Sequence, residues 1–475
     1  MEKLECPFNW SFGDPKKVYE YSSLDDESLL PLIRLMEVLM KVFAACKKAA
    51  ITIEEDQRIL LDLRGCDALF SSVKKNDTEK NFSYDVIHHI VQGTRAFVYS
   101  KKQMIQEMEE AMSTIKSVDL SDAKVRSTLF GCKSICWAKY AHADSNESEK
   151  LIRRAIKDNQ NCHLWHFVLG RILRDKRRNF TFGSTPKKEE EECFKAAYSL
   201  SKNPAYGIFL GQMFREKCLS KDVAKCHSED AIDIYEQIFQ QNSKNISILL
   251  RLALGFIAFK EMEKAKQCLD KIPEPPKGHH KRSMYLHYRG KYHLKSGEYW
   301  TAAKFLREAA EDDNLGADYQ YMECMRRVDS KFNVSQHLSE MVEKYKGFPA
   351  QQTQRIHLML AISYWKNDEN IEESLSYFRK ALAVDPKSEI FTNCNAFQIG
   401  VKLPDENIFT ILETEFLPLV YKKYSCEYIM GMADTLKNYC SDYQTSLYKS
   451  APPVRPFDLP RMNHLVEILS PKRAE

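Results

Sequence analysis

The stretches YLHYRGKYHLKSGEYWTAAKFLREAA (Tyr285–Ala310) and LMLAISYWKNDENIEESLSYFRKALAVDP (Leu358–Pro386) decide the fold, because they carry one pattern twice. The first places Leu286, Gly290, Gly297, Tyr299, Ala302, Leu306 and Ala309 where the second places Leu358, Ala361, Trp365, Ser374, Phe378, Ala381 and Pro386 in a related order. Small residues at Gly290, Ala302 and Ala309 let two antiparallel helices approach closely, and Leu306 and Phe378 fill the space between them. Ala302 and Ser374 stand 72 residues apart, with Leu338 halfway. Ala265 lies 37 residues before Ala302, and Ala231 lies 34 before that. Five positions in near-register make an array of helical hairpins.

A repeat of about 34 residues with small and large positions in this order resembles the tetratricopeptide (TPR) unit. The resemblance implies an all-α fold, a TPR-type α-solenoid in which hairpins stack into a superhelix. Upstream of Val125 the apolar-periodic runs Ile51–Phe70, Tyr84–Tyr99 and Met104–Ile115 lack the repeat spacing, as does a helix expected to begin at Asp25–Asp26. Residues 1–120 are therefore expected to form a non-repeat helical module, with Trp10, Phe12 and Tyr19 packing back onto it. Residues 121–390 are expected to be the superhelix. Its insertions are placed at Arg177–Glu192 and Cys218–Ser228, and Asn203–Pro204 breaks a helix between them. Residues 391–475 are expected to cap the last repeat with helices at Phe409–Tyr421 and Glu427–Tyr439. Beyond them lie an extended Ala451–Pro460 and a short helix at Met462–Leu469.

Composition narrows the function. With 44% hydrophobic residues, 16 Gly and 17 Pro in 475, the chain suits a folded helical protein. A net charge of +4 implies no polyanion partner by itself, so what matters is where the 70 Lys and Arg cluster. Met1–Phe12 holds no apolar core of a signal peptide, and Ile246–Phe259, interrupted by Arg251, is too short to span a bilayer. The 14 Cys are scattered without framework spacing, as buried thiols of a cytoplasmic protein would be.

No glycine-rich phosphate loop, dinucleotide fingerprint or His-Glu-x-x-His is present. Cys132 and Cys136 with His163 and His166 are better explained as core residues than as metal ligands, since no Cys-x2-Cys pair supports them. The Glu189–Glu192 run is explained by a solvated helix start, and Gly207-x3-Gly211 by a close helix contact. No catalytic residue, metal or cofactor is expected; the chain is a binding protein.

Three basic clusters remain: Arg171, Arg174 and Lys176–Arg178; His279–Arg282 with His287, Arg289 and Lys291; and Arg326–Arg327, the last best explained as a solvated face. In TPR proteins, positions 2, 5, 9 and 12 of each repeat line the concave groove. With Gly170 and Gly290 at position 8, Arg171 and Arg174 take 9 and 12, and His287 and Lys291 take 5 and 9. Cations and the nearby rings of Trp165, Tyr288 and Tyr292 in one groove suit single-stranded RNA. They suit a TPR adaptor holding a peptide or partner protein nearly as well.

Cys136–Trp137–Ala138, Leu250–Arg251-x-Ala253 and Tyr285–Leu286–His287 before Gly290 follow one another as the corresponding segments do in the interferon-induced proteins with tetratricopeptide repeats. The chain resembles a divergent member of that family over roughly Leu29 to Leu447. The resemblance implies a cytoplasmic antiviral effector that closes helices around a basic tunnel holding the 5′ end of single-stranded RNA, without catalysis. It implies Trp137 stacking on a terminal base or cap, and Arg174, Arg251 and His287 touching phosphate.

Overall fold

The computed structural model describes residues 4–12, 30–48, 51–77, 79–140, 145–180, 185–218, 224–348, 350–392, 394, 396, 399–404 and 407–450. The helix start at Asp25–Asp26, Tyr19, the extended 451–460 stretch and the 462–469 helix lie outside them. Among the described residues every regular element is a helix. The chain packs as two compact units, Met1–Gly297 and Glu298–Glu475.

The first unit begins with α1 (Pro31–Cys46), apolar on nearly every side and packed on α2 (Ile53–Asn76), α3 (Tyr84–Lys101) and α5 (Ala123–Tyr140), with α4 (Ile105–Ser113) on α3. The expected return of Trp10 and Phe12 to the fold is observed: both are buried, and Phe12 lies against Phe43 of α1. From α5 the chain forms hairpins: α5 with α6 (Ser145–Asp158), α7 (His163–Phe180) with α8 (Lys188–Leu200), α9 (Pro204–Lys217) with α10 (Ala224–Gln240), and α11 (Ile246–Ala258) with α12 (Met262–Asp270). A further helix, α13 (Arg282–Lys295), packs on α11 and α12. Asn203 and Asn245 accept the first backbone N–H groups of α9 and α11, and Pro204 opens α9 where its missing N–H costs nothing.

The second unit holds α14 (Tyr299–Glu311), α15 (Leu315–Val328), α16 (Val334–Lys344), α17 (Ala350–Lys366) and α18 (Ile371–Val384). After them, α19 (Ile408–Ile411) runs through a π turn at Leu412–Phe416 into α20 (Leu417–Lys423), and α21 (Glu427–Ser450) returns onto α18. Phe416 wedges against Trp365 and Phe378, with ring centroids 5.1 and 5.0 Å away, so the C-terminal helices close the apolar edge of the last hairpin.

The repeat register is physical. Ala231, Ala265, Ala302, Leu338 and Ser374 sit on α10, α12, α14, α16 and α18, and every one is fully buried. Three expectations change. Helix α10 already begins at Ala224, so the insertion is shorter than Cys218–Ser228. Arg177 to Phe180 continue α7, and α8 already begins at Lys188, so the insertion is shorter than Arg177–Glu192. Glu190 is buried and not solvated, because it faces Arg177 across the hairpin. Eleven of the thirteen described cysteines are buried, Cys132 and Cys136 completely, as core packing requires.

The close contact expected at Gly207 and Gly211 is observed and extends to Gly255. A Cβ would fall 2.7 Å from Ile238 at Gly207, and 2.6 and 2.5 Å from the Tyr235 ring at Gly211 and Gly255. Tyr235 of α10 is thus clamped between α9 and α11. Adding one methyl group should have opposite effects at two helical glycines. Gly255→Ala should cost about 1–3 kcal/mol by overpacking that ring. Gly65→Ala, on an exposed face of α2 with nothing within 4 Å, should gain roughly 0.5–1 kcal/mol. Denaturant titration of both variants measures the difference.

Candidate nucleic-acid interface

Side chains from alternate helices of the first unit meet at one ring. Phe209 of α9 is buried, and three guanidiniums stand around it: Arg171 at 5.7 Å and Arg174 at 5.3 Å from α7, and Arg251 at 5.2 Å from α11. Each is within the range in which a cation is attracted to a ring's negative face. Arg171 also lies 6.0 Å from Phe167, whose ring packs edge-on against Phe209. Burial pushes the Arg171 guanidinium below its usual range, opposed by Asp175 and Glu37 and assisted by Arg251. Arg171 and Arg251 remain partly exposed, whereas Arg174 is buried.

Arg174 is committed elsewhere. Its guanidinium donates to Glu216 at 3.0 Å; Arg177 donates to the other Glu216 oxygen at 2.5 Å and to Glu190 at 2.9 Å. All four side chains are at most 10% exposed, so two cations and two carboxylates neutralise one another inside α7, α8 and α9. The basic run at 171–178 is therefore not one patch. Arg171 faces Phe209, Arg174 and Arg177 tie helices together, and Lys176 reaches Glu149 at 2.5 Å. Buried pairs of this kind hold because removing one charge strands the other away from water.

Helix α13 supplies the other expected cations. His287 and Lys291 lie one turn apart, both partly exposed, with Tyr288 between them. Burial raises the Tyr288 hydroxyl, while Arg251 and Arg215 lower it, so both guanidiniums act on this ring. Burial, then Arg215 and Lys295, bring the Lys291 ammonium from 10.5 down to about 8. Arg289 turns away to Asp270 at 3.0 Å, and Arg282 to Glu274 at 2.9 Å.

The expected aromatics fare differently. Trp165 is fully buried, donates its indole N–H to Ser127 at 3.0 Å and leaves room for no more than a hydrogen at Gly131. It is a core residue and cannot stack on a base. Trp137 is partly exposed and is not among the rings around the arginines. It packs on Phe12 at 4.8 Å and lines a cavity of about 400 Å³ with Glu5, Trp10, Lys133 and Glu147. Lys133 pairs there with Glu5 at 2.7 Å. In the second unit Arg327 pairs with Glu323 at 3.0 Å, and Arg326 lies partly buried beside Gly400.

Arg171, Arg174 and Arg251 are thus brought together, His287 and Lys291 adjoin Tyr288, and Trp137 sits with the N-terminal segment. Sequence reasoning missed Phe209, Arg215, Glu216 and Glu37. Arg215 was within reach: it follows Gly211 by four residues, as Arg174 follows Gly170. Phe209 was not, because one aromatic in an apolar helix carries no sign of what surrounds it. Among the described residues no group of three or more His, Cys, Asp or Glu could hold a metal ion, and no helix is long and apolar enough to cross a membrane.

No protein-family model matches the sequence, and no curated protein matches it significantly. Solved structures do match in fold. The human IFIT1 dimer with PPP-AAAA is 12% identical with a TM-score of 0.56, covering 95% of this chain and 99% of that one. The human IFIT1 dimer with m7Gppp-AAAA is 11% identical with a TM-score of 0.55 and the same coverage. At this identity the likeness is one of fold: the chain is an all-α array of paired helices similar to that of human IFIT1.

Proposed function

We propose that this chain is a non-catalytic binding protein whose inner helices take the phosphates of single-stranded RNA. We read it as a divergent member of the interferon-induced proteins with tetratricopeptide repeats, acting in antiviral defence in the cytoplasm. The carrying observation is the convergence of Arg171, Arg174 and Arg251 on Phe209, with Arg215 on the same helix and Tyr288 and Lys291 on α13. Arg174 is neutralised by Glu216 and positions the site. Arg171, Arg251, Arg215 and Lys291 are the partly exposed cations that phosphates would meet, where reduced solvent strengthens each charge-assisted hydrogen bond. The similar fold of human IFIT1, solved with PPP-AAAA and with m7Gppp-AAAA, supports testing RNA by its 5′ end. An acidic peptide would use the same cations, and a competition experiment separates the two.

Fluorescence anisotropy with one RNA oligomer bearing a 5′ triphosphate, a 5′ hydroxyl or a cap tests this reading. Three neutralised phosphates give a slope of roughly −2 in log affinity against log salt. Arg171→Gln and Arg251→Gln should each weaken binding about tenfold with the helical signal intact. Glu216→Ala should instead cost about 3–5 kcal/mol of stability by stranding buried guanidiniums. Failure of both Gln variants to alter binding, or displacement of RNA only by a protein partner that survives high salt, would overturn the reading.

The pH dependence has a definite sign. A phosphate beside Lys291 favours its ammonium form, so binding takes up a proton and weakens as pH rises through about 8. Affinity should fall between about pH 7 and 9 in the native protein. Lys291→Arg should bind with little change over that range, because a guanidinium stays charged.

A further inference from the structure

We propose that the segment 4–12 is an acid-released strap, latched over Trp137 by a neutral His89 and set free when that ring takes a proton. The strap lies across α1, α3 and α5. The Phe8 ring sits 5.2 Å from both Phe43 of α1 and Phe97 of α3, and Phe12 covers Trp137 of α5 at 4.8 Å. Cys6 is completely buried against Gly93 of α3, where a Cβ would fall 3.2 Å from its own. Within the strap the Asn9 side chain donates to the Leu4 carbonyl at 2.8 Å and the Trp10 indole N–H donates to Glu5 at 2.8 Å, so it holds together as one piece. Glu5, Asn9 and Trp10 line the cavity of about 400 Å³ that Lys133 and Trp137 line from α5. Lifting the strap opens that cavity and uncovers the Trp137 ring.

The latch is a matter of hydrogen-bond sense. His89 of α3 is 4% exposed; the Glu5 backbone N–H donates to its Nε2 at 3.0 Å, and its Nδ1 lies 2.7 Å from the Lys116 carbonyl. A backbone N–H only donates and a carbonyl only accepts, so the ring is neutral, with its one proton on Nδ1. A second proton would sit on Nε2 and point at the Glu5 N–H, which loses its acceptor while a charge is left buried. The neighbouring charges are already engaged. The Glu5 carboxylate is shared between Lys133 of α5, at 2.7 Å, and the Trp10 indole; the Lys116 ammonium pairs with Asp85 of α3 at 3.0 Å; His88 of α3 bonds Gln92. A charged His89 finds a new acceptor only in water, with the strap lifted. The open form therefore holds the proton more tightly than the closed one, and falling pH drives opening. Mildly acidic solution, where imidazoles take up protons, is the range in which such a latch works.

The test labels the full chain with 4,4′-dithiodipyridine, which reacts with accessible thiols in acid as well as at neutral pH, and follows each cysteine by peptide mass spectrometry. Cys6 reports the strap, exposed Cys426 is the reference, and completely buried Cys132 of α5 reports global unfolding. From about pH 7.5 to about pH 5.5 the rate at Cys6 relative to Cys426 should rise roughly tenfold, while Cys132 stays unlabelled. In His89→Gln the amide oxygen accepts from Glu5 and the amide N–H donates to Lys116 without taking a proton, so Cys6 should stay protected at both pH values. Glu5→Gln keeps the backbone N–H that His89 holds and should keep the response, which separates the latch from loss of the Lys133 ion pair. An unchanged Cys6 ratio in the native chain, labelling of Cys132 in step with Cys6, or loss of the response in Glu5→Gln would overturn the proposal. So would acid opening that persists in His89→Gln. If His89→Gln does not fold, the native chain and Glu5→Gln still decide. None of these readouts involves RNA, so the strap stands or falls apart from the binding reading.

Discussion

The Tyr235 ring, clamped between Gly211 and Gly255, sets the spacing on which the first unit depends. Any side chain at either glycine would push α9 or α11 off the α10 hairpin. With that spacing, Phe209 of α9 lies within reach of Arg251 of α11 and of Arg171 and Arg174 of α7. A fully packed apolar contact on one side of the hairpins thus determines the charge arrangement on the other. The cationic cluster is a consequence of helix packing.

Concentrating guanidiniums costs electrostatic free energy, and the fold offsets it in two ways. Glu216 and Glu190 neutralise Arg174 and Arg177 inside the protein, leaving a rigid frame. The faces of Phe209 and Phe167 receive the remaining charge as cation–π contacts. Lys291 is brought to about 8 first by burial and then by the positive charges of Arg215 and Lys295.

The two ends of the repeat array solve different problems. Ahead of the first hairpin, α1 is buried on nearly all sides, and the segment 4–12 inserts Phe8 and Phe12 beside Phe43. At the other end, α20 and α21 with the π turn deliver Phe416 to the gap between Trp365 and Phe378. Both devices cover apolar helix faces that a stacked repeat would otherwise leave to water.

The sequence by itself determined the helical class and much of the register, because burial of small residues imposes a period that survives divergence. Ala231 and Ala265 each mark the second helix of a hairpin, and the Asn203–Pro204 break is visible as a cap followed by a proline. It also exposed Arg171, Arg251, His287 and Lys291 as candidates, through their offset from small positions or through family resemblance. Only the tertiary structure decided what each charge does. Arg171 and Arg174 are three residues apart on one helix and both reach the Phe209 ring, yet Arg174 is also held by a buried carboxylate 42 residues away. Trp165 and Trp137 look alike in sequence, but one fills the notch at Gly131 and the other packs on Phe12. Helical periodicity is a local property and is written along the chain; the partner of a charge is set by long-range packing, which no single helix encodes.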